Sequence, residues 1–236
     1  MQATVSTSND APRFDLYRPI HKALRAFMSD TLVAVGSLDT GDEADVTVVV
    51  EQTRGLLAML AVHLDDENRF VHAAMEARRP GSARRTADDH ASHECALAEF
   101  ERLLVAVEQP DGPTRAQAAL ELYRRLGLFV AENYEHMNVE ERENNAVLWA
   151  DYTDEELAAI EGEILGSIPR EALAVGMRWM IPAINHGERV GMLQGMRAGV
   201  PPEVFEGVLA IARGHLTARD WAKLESALGL SSDLAA

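Results

Sequence analysis

Four times in this chain a histidine is followed four residues later by a glutamate: His63/Glu67 in HLDDE, His72/Glu76 in HAAME, His90/Glu94 in HASHE and His136/Glu140 in HMNVE. Residues four apart on a helix share one face, with β-carbons about 5–6 Å apart, so each pair can present imidazole and carboxylate to one centre. The constraint on the fold comes from where the pairs lie. Leu56, Leu60, His63, Glu67 and Phe70 form one seam, on a helix expected from about Val46 to Met75. Leu122, Leu126 and Phe129 run into Asn133, His136 and Glu140 on another, expected from Pro113 or Thr114 to about Trp149. A helix from about Ala83 to Glu108 is apolar at Leu97, Phe100, Leu104 and Val107, and a first helix carries Ile20, Leu24, Phe27, Met28, Thr31, Leu32 and Val35. TVVVE has strand-forming residues but no partner strand, so it reads as helix. Four long amphipathic helices, broken at SLDTGDEAD, ARRPGSARR and QPDGPT, imply an all-α, up-down-up-down four-helix bundle.

The bundle accounts for three of the pairs and for His21. In antiparallel helices, "early" and "late" positions alternate to the same end. His21 is early in the first helix, His63 late in the second, His90 early in the third and His136 late in the fourth. His21 and His63 each lie about 28 Å from the first turn at 1.5 Å per residue. All four histidines therefore meet at one level, on core positions. Burying so many ionisable groups unpaired costs several kcal/mol each, and a cation bound by neutral imidazole and carboxylate removes that cost. His72 follows His63 by nine residues, about half a turn round an α-helix, so it is expected to face solvent.

This arrangement resembles the hemerythrin-like, or HHE cation-binding, family over roughly residues 15–150: His21, the HLDDE pair, His90 and the HMNVE pair occur in its order and on its helices. The resemblance implies a non-haem di-iron centre, with Glu67 and Glu140 bridging, His21 and His63 on one iron, and His90 and His136 on the other. It also implies a small diatomic or peroxide ligand. Zinc or another divalent metal suits the same donors. Oxygen-carrying hemerythrins place two histidines four apart on the third helix, where this chain has His90 and Glu94 with His93 between. Register leaves His90, His93 and Glu94 all as candidates. A carboxylate there would make a harder site favouring ferric iron, hence sensing, iron handling or slow oxidase-like chemistry over reversible carriage. The alternatives are a di-iron oxidase or peroxidase and a helical interaction module with a structural metal. Ferritin-like centres need Glu-x-x-His, and none of the eight histidines has a glutamate three residues before it.

The rest of the sequence mostly excludes. Against 22 Lys and Arg stand 38 Asp and Glu, a formal charge of −16 that repels nucleic acid and anionic membrane surfaces. One cysteine, Cys95, excludes a disulfide framework and a cysteine-rich zinc site, and reads as a packed small hydrophobe. No apolar run approaches the roughly 20 residues of a membrane span, and MQATVSTSNDAPR has no secretory pattern, so a cytoplasmic protein is expected. Residues 1–14 read as a loose arm. Residues 151–236 read as a C-terminal extension of short helices packed on the bundle. The extension opens with a capping box at Thr153/Glu156, and Thr217 is a later N-cap. His186 and His215 read as surface or cap residues. Met177, Met180, Met192 and Met196 read as core filler. Arg78 and Arg79 suit a helix C-terminus, and Arg84 and Arg85 solvent. Tyr17 and Tyr134 are candidate hydrogen-bond donors near the centre. A homodimer is compatible with the sequence.

Overall fold

The computed structural model describes residues 13–110 and 112–230, and among them every regular element is helical. The long helices are α1 (Arg18–Ser37), α2 (Glu43–Asp66), α4 (Arg84–Val107) and α5 (Gly112–Val139). α2 continues through a π-helical turn, Glu67–His72, into α3 (Ala73–Arg78). α5 continues through a second π-helical turn, Glu140–Asn144, into α6 (Asn145–Asp151). α7 (Asp154–Ser167), α8 (Arg170–Ala183), α9 (His186–Gly199), α10 (Pro202–His215) and α11 (Ala218–Ala227) complete the described chain.

The helix starts follow local chemistry. Asp15 accepts the backbone N–H of Tyr17 and Arg18, ahead of Pro19 in the first turn of α1. Asp42 caps α2 through the N–H of Ala44. TVVVE is helical: Val46, Val49 and Val50 are buried while Val48 faces out, a spacing of three and four. Between α3 and α4, Gly81 has φ +85°, a left-handed conformation that a β-carbon disfavours, and Glu76 closes the turn by accepting from the N–H of Gly81 and Ala83. Thr153 with Glu156 forms a capping box, and Thr217 caps α11.

α1 packs on α2 and α5, and α4 packs on the same two helices, which closes a ring of four long helices. Its apolar filling includes Leu24, Phe27, Met28, Leu56, Leu60, Phe100, Leu104, Leu122, Leu126 and Phe129. A smaller cluster, of Tyr17, Val71, Met75, Ala83, Leu148 and Leu157, occupies the other end. Along the sequence, His21, His63, Glu67, His90, His136 and Glu140 all fall between positions of these two clusters. At the α2 N-terminal end, far along the chain from those groups, buried Arg115 ties Glu43, the Thr40 carbonyl and the Gln109 carbonyl together.

The C-terminal helices have their own core, including Ile181, Leu193, Phe205, Ala212 and Leu224. α8 lies against α1, where Trp179 stacks on Phe27 with ring centroids 4.0 Å apart and planes 12° from parallel. Lys22 pairs with Glu188 at 2.6 Å, and Ser167 donates to Asp66. Met177, Met192 and Met196 are half-buried against that C-terminal core. His186 and His215 are exposed.

Several expectations need correcting. Of the arm expected at residues 1–14, residues 1–12 lie outside the described chain, but Arg13 is anchored to Asp154 and to the carbonyls of Trp149 and Tyr152. Cys95 is exposed, because the buried line of α4 passes through His93 and Phe100 and leaves position 95 on the other side. The arginines lie as expected, Arg78 ending α3 with Arg79 as its C-cap and Arg84 and Arg85 exposed; Arg85 also pairs with Glu143, Arg79 with Asp151, and Arg78 with Glu156, over the Tyr152 ring at 3.6 Å. No helix among the described residues is long and apolar enough to cross a membrane.

Candidate metal centre

Both π-helical turns begin on a glutamate of the centre, Glu67 and Glu140. In such a turn the residue five ahead, rather than four, stacks above the first. The α2 seam therefore shifts by one. Phe70, expected on the core side, is half-buried, and Val71 and His72 are buried in its place. In the other helix Asn145, five residues after Glu140, is buried beside Asn144. His72 is thus not a solvent-facing histidine. It lies against Asn68 and Thr86, with its ring stacked on His90 at 4.8 Å.

The centre consists of two groups that share both glutamates. His21, His63, Glu67 and Glu140 form one, and Glu67, His90, His136 and Glu140 form the other, each with candidate donor atoms within 4.8 Å of one another. Glu67 Oε1 faces His21 Nε2 (3.6 Å) and His63 Nε2 (3.3 Å), while its Oε2 faces His90 Nε2 (3.3 Å). Glu140 Oε2 stands 3.4 Å from His21 Nε2 and 3.3 Å from His136 Nε2, with Oε1 3.6 Å from His90 Nε2. His90 Nε2 and His136 Nε2 are 3.0 Å apart.

These spacings suit a cation. Two donors each about 2.1 Å from one ion stand about 3.0 Å apart at a right angle and about 3.4 Å apart at the tetrahedral angle. All four carboxylate oxygens of Glu67 and Glu140 are buried without a hydrogen-bond donor, as are His21 Nε2 and His63 Nε2. A buried carboxylate accepts only, and leaving it unmatched is costly. Imidazole and carboxylate without thiolate suit iron, zinc and similar divalent ions.

The outward nitrogens of three histidines are held. His21 Nδ1 lies 3.0 Å from Glu141, itself paired with Arg25 at 2.6 Å. His90 Nδ1 lies 2.8 Å from Asn68 Oδ1, and His136 Nδ1 lies 3.2 Å from Asp89. Such contacts fix which nitrogen faces inward. In the metal-free protein, burial opposes a charge on His21. Its hydrogen bond to Glu141 and the nearby Glu67 and Glu140 carboxylates outweigh that and raise its pKa to about 9. Burial is likewise outweighed at His90, raised to about 9 by Glu140 and Glu67. His136 is raised too, burial being overcome by Glu140. At His63 burial wins and lowers the pKa to about 4. Glu67 and Glu140 stay ionised despite burial, because the surrounding histidines hold their pKa values down.

The third-helix candidates separate clearly. His90 lies in the second group, whereas Glu94 is exposed and belongs to neither. The buried positions of α4 are Thr86, His90, His93, Phe100, Leu104 and Val107, spaced by threes, fours and one seven, and that stripe takes His93 and leaves Glu94 outside. The expected carboxylate-hardened site therefore loses its basis. His93 is buried with Nδ1 unpartnered, its ring 4.9 Å from that of His136. Burial and the neighbouring His136 lower its pKa to about 4.

The sequence reading overlooked Asn68, Thr86, Asn144 and Glu141. Two of these directly follow the shared glutamates, Asn68 after Glu67 and Glu141 after Glu140. That adjacency was the signal available. Tyr17 is buried next to His21 with ring centroids 5.2 Å apart, and its hydroxyl accepts from Asn144. Burial and the charges of Glu140 and Glu67 raise its pKa well above the usual tyrosine value. Tyr134 instead reaches Ser29 and the Arg25 carbonyl.

Comparison with curated proteins and with solved structures returned no match. A family profile described as the hemerythrin HHE cation binding domain matches residues 14–147, more than half the chain and every residue of the two groups. The chain belongs to the hemerythrin HHE cation-binding domain family.

Proposed function

We propose that this protein holds a non-haem, carboxylate-bridged di-iron centre in an up-down-up-down four-helix bundle spanning residues 15–150, with residues 151–236 as a helical extension. Its role is to bind or sense a small ligand such as oxygen, nitric oxide or peroxide, or to handle iron. The observation that carries the reading is the sharing of Glu67 and Glu140 by two histidine pairs. His21 and His63 would hold one ion, His90 and His136 the other, and the two carboxylates both. Iron bound there supplies reversible one-electron chemistry and open coordination positions.

The protein's own part is positioning and charge. The two shared carboxylates contribute two negative charges against four from two divalent ions, so an anionic or electron-rich small ligand is favoured. Residues of both apolar clusters, among them Leu60, Val71, Phe129 and Leu148, flank these groups along the helices and limit water around them. His93 stands beside His136 without a partner for Nδ1, on the side where the second pair lies.

The test is metal analysis of the purified protein, paired with absorption spectra of the reduced protein before and after admission of air. About two irons per chain and a new near-ultraviolet or visible band on exposure to air are expected. One zinc per chain with no spectral change would refute the di-iron reading.

A further inference from the structure

The buried polar groups beyond the metal donors form one connected chain. Asn144, from the second π-helical turn, donates through Nδ2 to the Tyr17 hydroxyl and to Thr86 Oγ1, each at 3.2 Å. Thr86 Oγ1 stands 3.0 Å from His72 Nε2. His72 Nδ1 stands 3.1 Å from Asn68 Oδ1, and the same oxygen stands 2.8 Å from His90 Nδ1.

Only one assignment of protons satisfies this chain with a neutral His72. An amide oxygen has two lone pairs and no proton, so both imidazoles must donate to it from Nδ1. His72 Nε2 is then an acceptor and takes the Thr86 hydroxyl proton, while Thr86 accepts from Asn144. The Thr86 hydroxyl also has the Ala83 carbonyl within reach, but only its donation to His72 gives that Nε2 a partner.

We propose that Asn68 and His72 are a positioning pair for His90: the shared Asn68 oxygen holds the His90 Nδ1–H, which directs Nε2 toward Glu67 and Glu140, and His72 keeps that oxygen in place. An amide with one donor is free to swing about its terminal torsion. A second donor on the same oxygen, from a ring stacked on His90, removes that freedom. The π-helical turn makes this possible, since Glu67, Asn68 and His72 all lie within it. Neither Asn68 nor His72 touches the first pair: His21 is held separately by Glu141 Oε1, which also accepts from Arg25, and His63 has no outward hydrogen bond among the described residues. The pair therefore acts on one metal position and spares the other. This rests on the reading of His90 as a metal-binding residue.

The experiment has two arms. In 15N-labelled, metal-free protein the His90 Nδ1–H is expected as a downfield proton protected from exchange, and its absence would overturn the proposal without any variant. In the second arm, chelator-stripped wild type, Asn68→Ala, Asn68→Asp and His72→Phe are titrated with zinc(II), with helix content and melting temperature recorded for each. Asn68→Ala is expected to weaken one of two zinc positions about 10- to 100-fold and leave the other unchanged. Asn68→Asp, which keeps an acceptor, restores it, and His72→Phe gives a smaller loss at the same position. Equal weakening at both positions, or wild-type binding by Asn68→Ala, would overturn the proposal. If wild type itself takes up no zinc, the reading of the centre fails, and the first arm alone decides the positioning role.

Discussion

Loading the metal-free protein should expel protons, in a number that the geometry sets. Below a pH of about 9, His21 and His90 each hold a proton on a ring whose Nε2 faces the shared glutamates. A cation needs that lone pair, so both protons must leave. His63, lowered to about 4, and the ionised Glu67 and Glu140 have none to give near neutrality. The sign follows: a raised histidine pKa favours the protonated, metal-free form at low pH, so metal affinity falls as pH drops below about 9. At pH 7 each of the two protons is held by about two pKa units, about 3 kcal/mol, and His21 and His90 lie in different groups, so each ion displaces one of them. That is about two decades of apparent affinity at each position relative to pH above 9. Between pH 7 and 9 the affinity of each position should rise about one decade per pH unit. The assay is zinc(II) titration by calorimetry in two buffers of different ionisation heat, which counts protons directly. At least two protons per fully loaded chain are expected at pH 7. Proton-neutral loading at pH 7, or affinity flat from pH 7 to 9, would refute the reasoning.

Other perturbations follow from single contacts. His63→Ala or His136→Ala should remove most bound metal, whereas Glu94→Gln, at an exposed site outside both groups, should leave the stoichiometry unchanged by metal analysis. Leu126→Ala, at a side chain with no exposure in the main core, should cost about 2–5 kcal/mol and lower the melting temperature by several degrees in thermal unfolding. Gly81→Ala adds a β-carbon that meets no atom within 4 Å, so its cost should be the left-handed backbone alone, about 1–2 kcal/mol in denaturant unfolding.

The sequence made the long helices legible because their apolar spacing is regular and their ends carry ordinary signals. Asp42, Thr153 and Thr217 cap where side-chain chemistry says they should, and Pro80-Gly81 breaks the chain where φ turns positive. The histidines of the centre were legible for the same reason, since each sits where an apolar residue belongs. On α4 the sequence left His90, His93 and Glu94 all open, Glu94 through the four-residue spacing of the other pairs. In the structure the stripe steps by three after His90, and running it back from Val107, Leu104 and Phe100 reaches His93 and leaves Glu94 exposed.

His72 and Phe70 went astray for a deeper reason. A seam drawn with 3.6 residues per turn assumes one continuous α-helix, and neither π-helical turn contains the glycine or proline that marks a break. The extra residue becomes visible only when the two segments are compared. In each, a histidine and a glutamate four apart end the regular helix, and the widened turn starts on the glutamate. Without that turn His72 would point to solvent and Asn68 would have no second donor. Asn144, four residues after Glu140 in the other turn, is buried and joins the same hydrogen-bond chain through Thr86. Two irregular turns at the two shared carboxylates therefore do one physical job. Behind the donors the chain buries a layer of polar side chains, and in the first turn His72 takes a place that an unbroken α-helix would have given to Phe70. The local irregularity belongs to the centre, and a variant that restored a regular helix by deleting one residue from either turn should lose that polar layer before it lost the fold.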